Sequence, residues 1–286
     1  MANYYYAYSG HKFGLDRVRR GVALIKAMKR KNHEMQLLVN DFRAGLAAKE
    51  LGVGDAVTIE TLLDVDAVAQ RGDLVVLDTP EDVGMRMEQY CDLFGEVFYV
   101  TDDCTYRAYA GETVLKPNCT EGEKCVETPM VDAEYFDGLP KEDRILFFFG
   151  DADYNKEVLA KRALFEGTGI ELLLGHYFFV KYESELEKTF ALLHEPEEYT
   201  NLVRSSSRVL TVSIQCALEA KAAEAEVFYV KKKDDPACIV ALLSAYNINI
   251  FDDMNNIDLK ILMQNSRETA EKVPNKIDMI ADSLIL

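Results

Sequence analysis

The chain is short of positive charge. Against 32 lysines and arginines it carries 49 aspartates and glutamates, a formal net charge of −17. General nucleic-acid binding needs a basic surface, so no nucleic-acid partner is expected. Long apolar runs are also missing: none approaches the roughly 20 residues that a membrane helix needs. The opening Met1-Ala2-Asn3 lacks the charged and apolar regions of a signal peptide. The expectation is a cytoplasmic protein with no membrane span. The cysteines Cys91, Cys104, Cys119, Cys125, Cys216 and Cys238 form no CxxC pair, and a cytosolic chain keeps such thiols reduced. Cys119 and Cys125 flank Thr120-Glu121-Gly122-Glu123-Lys124, but even with Cys104 their spacing does not match the usual zinc patterns. The four histidines are scattered and form no HExxH motif. No metal or other cofactor is expected.

What is present is an ordinary globular composition, 49% apolar and 28% charged, over 286 residues. That length suits two domains of ordinary size. Short apolar β-rich runs mark strands at 4–8, 35–39, 56–59, 74–77 and 97–101. Helical patterns lie between them at 18–30, 44–51, 62–70 and 84–94. Residues 104–139 are poor in pattern and read as a connecting region. A second series has strands at 144–149, 170–174, 208–211, 227–231 and 247–251, with helices at 155–165, 183–193, 197–205, 214–223 and 236–245. Alternating strands and helices imply parallel sheets covered on both faces. The expectation is therefore an α/β chain of two Rossmann-like parallel-sheet domains, 1–139 and 140–253, facing a cleft. Residues 254–286 form a helical extension that crosses back onto the first domain and could dock a protein partner.

The amino terminus, Tyr4-Tyr5-Tyr6-Ala7-Tyr8-Ser9-Gly10-His11-Lys12-Phe13-Gly14-Leu15-Asp16-Arg17, reads as a buried strand, a loop and the start of a basic amphipathic helix. In parallel α/β sheets, ligands bind at the carboxyl ends of the strands. A helix amino terminus there suits an anion. His11, with Arg17 further on, sits where an anionic substrate would, and a histidine can act as a general base near neutrality. The cluster Arg17, Arg19, Arg20, Lys26, Lys29, Arg30 and Lys31 is either the solvated face of that helix or a phosphate contact at its start. Asp78, Asp102 and Asp103 also end strands. They either orient His11 and bind sugar hydroxyls or simply cap helices. His176 ends a strand of the second series, and Ser213 stands where it would N-cap the helix from Ile214.

These motifs, in order, resemble the GT-B architecture of nucleotide-sugar enzymes, nearest to the nucleotide-sugar hydrolases of pseudaminic-acid biosynthesis. Gly10-His11, Arg17 and Ala23-Leu24 are similar to that family's catalytic loop and first helix. Val75-Val76-Leu77-Asp78 resembles a strand ending in Asp. Val100-Thr101-Asp102-Asp103, then Val114-Leu115-Lys116-Pro117-Asn118, resembles a strand ending in Asp-Asp followed by an apolar run and Asn. Phe148-Phe149-Gly150-Asp151-Ala152-Asp153-Tyr154-Asn155 resembles the opening of the second domain. The likeness covers roughly residues 4 to 253.

The resemblance implies a nucleoside diphosphate sugar bound between the domains, processed by a hydrolase or a glycosyltransferase. It implies catalytic roles for His11, Asp78 and Asp103. It implies substrate contacts from Gly10, Gly14, Arg17, Asp102, Gly150, Asp153, Asn155, His176, Ser213 and Gln215. Two departures stand out. Asp151 replaces a second glycine that lets backbone approach phosphate, and a carboxylate there is expected to repel a pyrophosphate. Cys216 falls where the family has a ribose-binding Glu, with Glu219 one turn later. The alternative is therefore a GT-B-like scaffold without catalysis, serving as an assembly or regulatory partner.

Overall fold

The computed structural model describes residues 1–178, 180–257, 262 and 272–285. Of the carboxy-terminal extension, residues 258–271 apart from Leu262 lie outside the described residues. The chain divides into two compact units. The first comprises residues 1–10, 17–133 and 275–286, and the second 11–16 and 134–274.

The first unit is built on seven parallel strands: β1 (Asn3–Ala7), β2 (Gln36–Val39), β3 (Val57–Thr58), β4 (Leu74–Asp78), β5 (Glu96–Val100), β6 (Thr113–Lys116) and β7 (Cys125–Glu127). Their order is β3-β2-β1-β4-β5-β6-β7, so the chain reverses direction across the sheet between β1 and β4. Helices α1 (Asp16–Arg30), α2 (Phe42–Glu50), α3 (Val65–Val68) and α4 (Gly84–Leu93) accompany it. Strands buried on both faces read as continuous apolar runs, and β4, Leu-Val-Val-Leu-Asp, is buried at every position. Tyr5 and Tyr6 are fully buried. Each satisfies its hydroxyl on a carboxylate, Tyr5 on Asp78 at 2.7 Å and Tyr6 on Glu81 at 2.7 Å.

The pattern-poor stretch 104–139 contains β6 and β7, which sequence periodicity misses. Their pairing makes the structure here. Val114 pairs with Cys125 and Lys116 with Glu127. The fully buried Lys116 ammonium donates to the Tyr106 carbonyl at 3.0 Å and faces Glu123 at 3.0 Å. The expectation that all cysteines stay reduced is corrected here. The turn between them brings the Cα atoms of Cys119 and Cys125 to 5.8 Å, and the two are joined as a disulfide.

A final helix, Ile277–Ile285, belongs to the first unit and buries Ile277, Ile280, Ala281 and Leu284. Ion pairs Lys276–Glu127 (3.0 Å), Arg30–Asp278 (2.8 Å) and Lys31–Asp282 (2.6 Å) flank it. Such exposed pairs contribute little, so its apolar stripe holds it.

The second unit has six parallel strands: β8 (Glu142–Phe148), β9 (Glu171–Leu173), β10 (Leu193–His194), β11 (Ser206–Thr211), β12 (Glu226–Val230) and β13 (Asn249–Phe251). The order is β10-β9-β8-β11-β12-β13. Its reversal point lies between β8 and β11. Helices α5 (Glu157–Ala160), α6 (Val180–Leu186), α7 (Tyr199–Ser205), α8 (Ile214–Ala222) and α9 (Ala237–Ala245) connect the strands. The helix expected over 155–165 is one short α-helical segment followed by a 3₁₀ turn at Arg162–Leu164. Phe147, Phe165 and Phe190 pack together in this core, with Phe147 and Phe165 stacked at 4.9 Å.

Among the described residues no helix is long and apolar enough to cross a membrane.

Candidate functional site

Open parallel sheets bind ligands at the carboxyl ends of strands, next to the point where strand order reverses. Each unit has such an edge, and the two are built differently.

In the first unit the edge is a closed charge network. Asp78 ends β4 opposite Ala7 of β1 and is 1% exposed. Its Oδ2 accepts from the Tyr5 hydroxyl at 2.7 Å and from Arg20 Nε at 3.0 Å. Its Oδ1 accepts from Arg20 Nη2 at 2.9 Å and faces Arg17 Nε at 3.4 Å. Arg20 also donates to Asp102 at 2.8 Å, so one guanidinium clamps the ends of β4 and of the segment after β5. Burial pushes the Asp78 carboxyl above its ordinary range, against the pull of Arg20 and Arg17 and the Tyr5 hydrogen bond. Asp103 lies outside this network. It is exposed and accepts from the amide and hydroxyl of Thr105 at 2.8 and 2.6 Å, which hold its carboxyl below the usual range. Gly10 follows β1 with φ +145°.

In the second unit the edge carries a loop borrowed from the amino terminus, residues 11–16. Three anchors hold it. Asp151, just after β8, accepts from the Leu15 amide at 2.9 Å. Tyr177, after β9, meets the His11 ring at 4.8 Å between centroids. Ser213, after β11, donates to Asp16 at 2.7 Å. These follow three adjacent strands, β9, β8 and β11, so the loop lies at the reversal point. His11 itself is exposed. His176 Nδ1 stands 3.5 Å from Asp151 Oδ1. The departure at Asp151 thus has a local explanation: the carboxylate is buried, 2% exposed, and engages the chain's own loop amide.

The remaining sequence candidates differ in what they touch. Gly150 adopts φ +103° at the turn after β8. Asp153 is buried and accepts from the first two amides of α5, Glu157 at 2.7 Å and Val158 at 3.0 Å, and from the Tyr182 hydroxyl. Asn155 is exposed. Ser213 is the N-cap of α8, accepting from the Cys216 amide at 3.0 Å. Gln215 is buried and donates to Glu219 at 2.8 Å, whose other oxygen accepts from the Tyr199 hydroxyl at 2.6 Å. Sequence reasoning missed Tyr177 and the roles of Arg20 and Asp151. Each acts through partners distant in sequence, 136 residues for Asp151 and Leu15, so no local pattern could announce them. Among the described residues no cluster of His, Cys, Asp and Glu could hold a metal ion.

No protein-family model and no curated protein matches the sequence. Solved structures do. The chain is similar over its whole length to a UDP-GlcNAc 2-epimerase of Methanocaldococcus jannaschii in complex with UDP-GlcNAc and UDP. The identity is 12%, the match covers 100% of this chain and 99% of that one, and the TM-score is 0.64. The glycosyltransferase SnogD of Streptomyces nogalater matches at 13% identity, 99% and 94% coverage and TM-score 0.59. The spinosyn forosaminyltransferase SpnP matches at 11% identity, 91% and 87% coverage and TM-score 0.58. At such identities the likeness establishes architecture alone. The chain has a GT-B-like fold of two Rossmann-like parallel-sheet domains.

Proposed function

We propose that this protein processes a nucleotide sugar, as a hydrolase or a glycosyltransferase, with His11 as general base toward water or an acceptor hydroxyl. The observation that carries the reading is the seating of the His11 loop at the reversal point of the second sheet, where α/β domains bind ligands. The imidazole is exposed beside Tyr177, and histidine is the side chain most often used as a general base. The fold neighbours support the substrate class, since the epimerase structure holds UDP-GlcNAc and UDP. The net charge of −17 favours a small-molecule ligand over nucleic acid.

Asp78 enters this reading as an electrostatic anchor for Arg17 and Arg20 rather than as the base, because its oxygens are already engaged. Asp103 is exposed, and in this reading it contacts a sugar hydroxyl.

A catalytically inactive scaffold is the second reading, favoured by one feature. Gln215, Cys216 and Glu219 are all buried on α8, and the Glu219 carboxylate accepts from Tyr199 and Gln215, so this helix presents no exposed carboxylate to a ribose. Incubation with UDP, CMP, GDP and dTDP sugars, followed by chromatography of the products, separates the two. Turnover that falls about 10²-fold or more in His11→Gln, within the range of general-base contributions, supports the enzyme. No turnover of any sugar, or full activity in His11→Gln, removes His11 from the account.

A further inference from the structure

We infer that Asp151 is the positioning residue of the His11 loop: a single buried aspartate that fixes the loop backbone with its side chain and the histidine's aromatic support with its main chain. The inference rests on the catalytic reading of His11, but its geometry is independent of the reaction.

The side chain reaches forward to the loop. Asp151 Oδ2 accepts from the Leu15 amide at 2.9 Å. A hydrogen bond to a buried carboxylate is among the stronger kinds. Leu15 is 1% exposed, so both ends of this bond are shielded from water. Gly14 precedes it with φ +68°, and a Cβ at Gly14 would lie 3.3 Å from Asp151 Oδ2. The loop therefore closes onto the carboxylate at a position that glycine suits in both conformation and space.

The main chain reaches in the other direction. The Asp151 carbonyl accepts from the Tyr177 amide at 2.8 Å, and the Tyr177 ring is the one that meets His11. The approach is close enough that a Cβ at Gly175 would lie 2.3 Å from the Asp151 backbone. One residue thus sets Leu15, four positions after His11, and Tyr177, whose ring meets the imidazole at 52°. Ser213 adds a second tie at Asp16. Holding a reacting group in register matters, since a displacement of about 1 Å can cost about 10²-fold in rate.

Two variants separate positioning from charge and from general stability. Asp151→Asn keeps an acceptor for the Leu15 amide and removes the charge. Asp151→Ala removes both. In the wild type, amide hydrogen exchange at Leu15 is expected to be slower than at the exposed Lys12 by about tenfold or more, from one buried charge-assisted bond. Asp151→Asn should retain that protection and the His11 ring signal in NMR. Asp151→Ala should lose the protection and move the His11 signal toward that of a solvated histidine, while amides of β11 and β12 stay protected. On a nucleotide sugar that the wild type turns over, Asp151→Ala should lower kcat by about 10²-fold with little change in KM, and Asp151→Asn should recover most of it. Leu15 exchanging as fast as Lys12 in the wild type, or failure of Asp151→Asn to retain protection, overturns the inference even if Asp151→Ala does not fold. So does an unmoved His11 signal in a folded Asp151→Ala. Protection and signal that behave as expected, in a protein that turns over no sugar, uphold the positioning and refute the catalytic reading instead.

Discussion

The carboxyl edges of the two sheets hold similar residue types to different ends. At the first edge, Arg17, Arg20, Asp78, Asp102 and the Tyr5 hydroxyl bond one another. Charge is matched to charge, and Asp78 is almost wholly out of water. At the second edge, the buried carboxylate of Asp151 takes a backbone amide, and the histidine that its loop carries stays exposed. The first arrangement spends its ionisable groups on holding strand ends together. The second spends one carboxylate on presenting an imidazole. What distinguishes the two is what the buried carboxylate holds: two guanidinium groups and a phenol hydroxyl at the first edge, and the backbone of the loop that carries an exposed histidine at the second.

The sharpest way to break that contrast is at Asp78. Removing one member of a buried ion pair strands the other, at a typical cost of about 3–5 kcal/mol. Asp78→Ala should lose stability on that scale in urea denaturation, whereas His11→Gln should melt close to the wild type. A mild effect at Asp78 would mean that the first edge is not a structural lock.

Ser213 tests the second edge at smaller scale. Loss of an N-cap hydroxyl costs about 1 kcal/mol. Ser213→Ala also removes the tie to Asp16, so stability should fall by about that amount and the Asp16 region should exchange faster. Lost stability without faster exchange would show that the loop does not depend on this tie.

The smallest effect concerns acid. Glu123 accepts from Thr120 and faces Lys116, and these contacts hold its carboxyl down to about 2 from 4.5. Its folded-state value is depressed, so its contribution is present above pH 4.5 and is lost as pH falls toward 2. Glu123→Gln should flatten the acid limb of the stability profile in that window and leave neutral pH nearly unchanged. An unaltered acid limb would show that Glu123 does not couple its loop to β6.

The parts of this molecule that the sequence discloses are those that local physics decides. β4 is an unbroken apolar run ending in Asp, and β1 is a buried aromatic strand. Ser213 before Ile214 is a helix cap by residue type and is one in the structure. Their alternation with helices carries the two parallel sheets. By contrast, β6 and β7 have three or four residues each and include Lys116, whose burial makes sense only once Tyr106 and Glu123 surround it. The disulfide depends on a turn that the spacing of Cys119 and Cys125 does not specify. At the site, Gly10-His11 is conspicuous because a loop with glycines leads into a helix. Asp151 reads there as an obstacle to phosphate, because its partner, Leu15, lies in the other half of the sequence.

The central claim, that the chain handles a nucleotide sugar, is tested most directly by binding. The measurement is the melting temperature of the wild type with UDP, CMP, GDP and dTDP sugars, each followed by calorimetric titration. A ligand at 100 times its Kd adds about 2.7 kcal/mol of stability to the folded state. The account predicts a clear upward shift with at least one nucleotide class and a saturable titration for the same compound. No shift and no heat with any of them would contradict it and leave the GT-B-like fold serving as a scaffold.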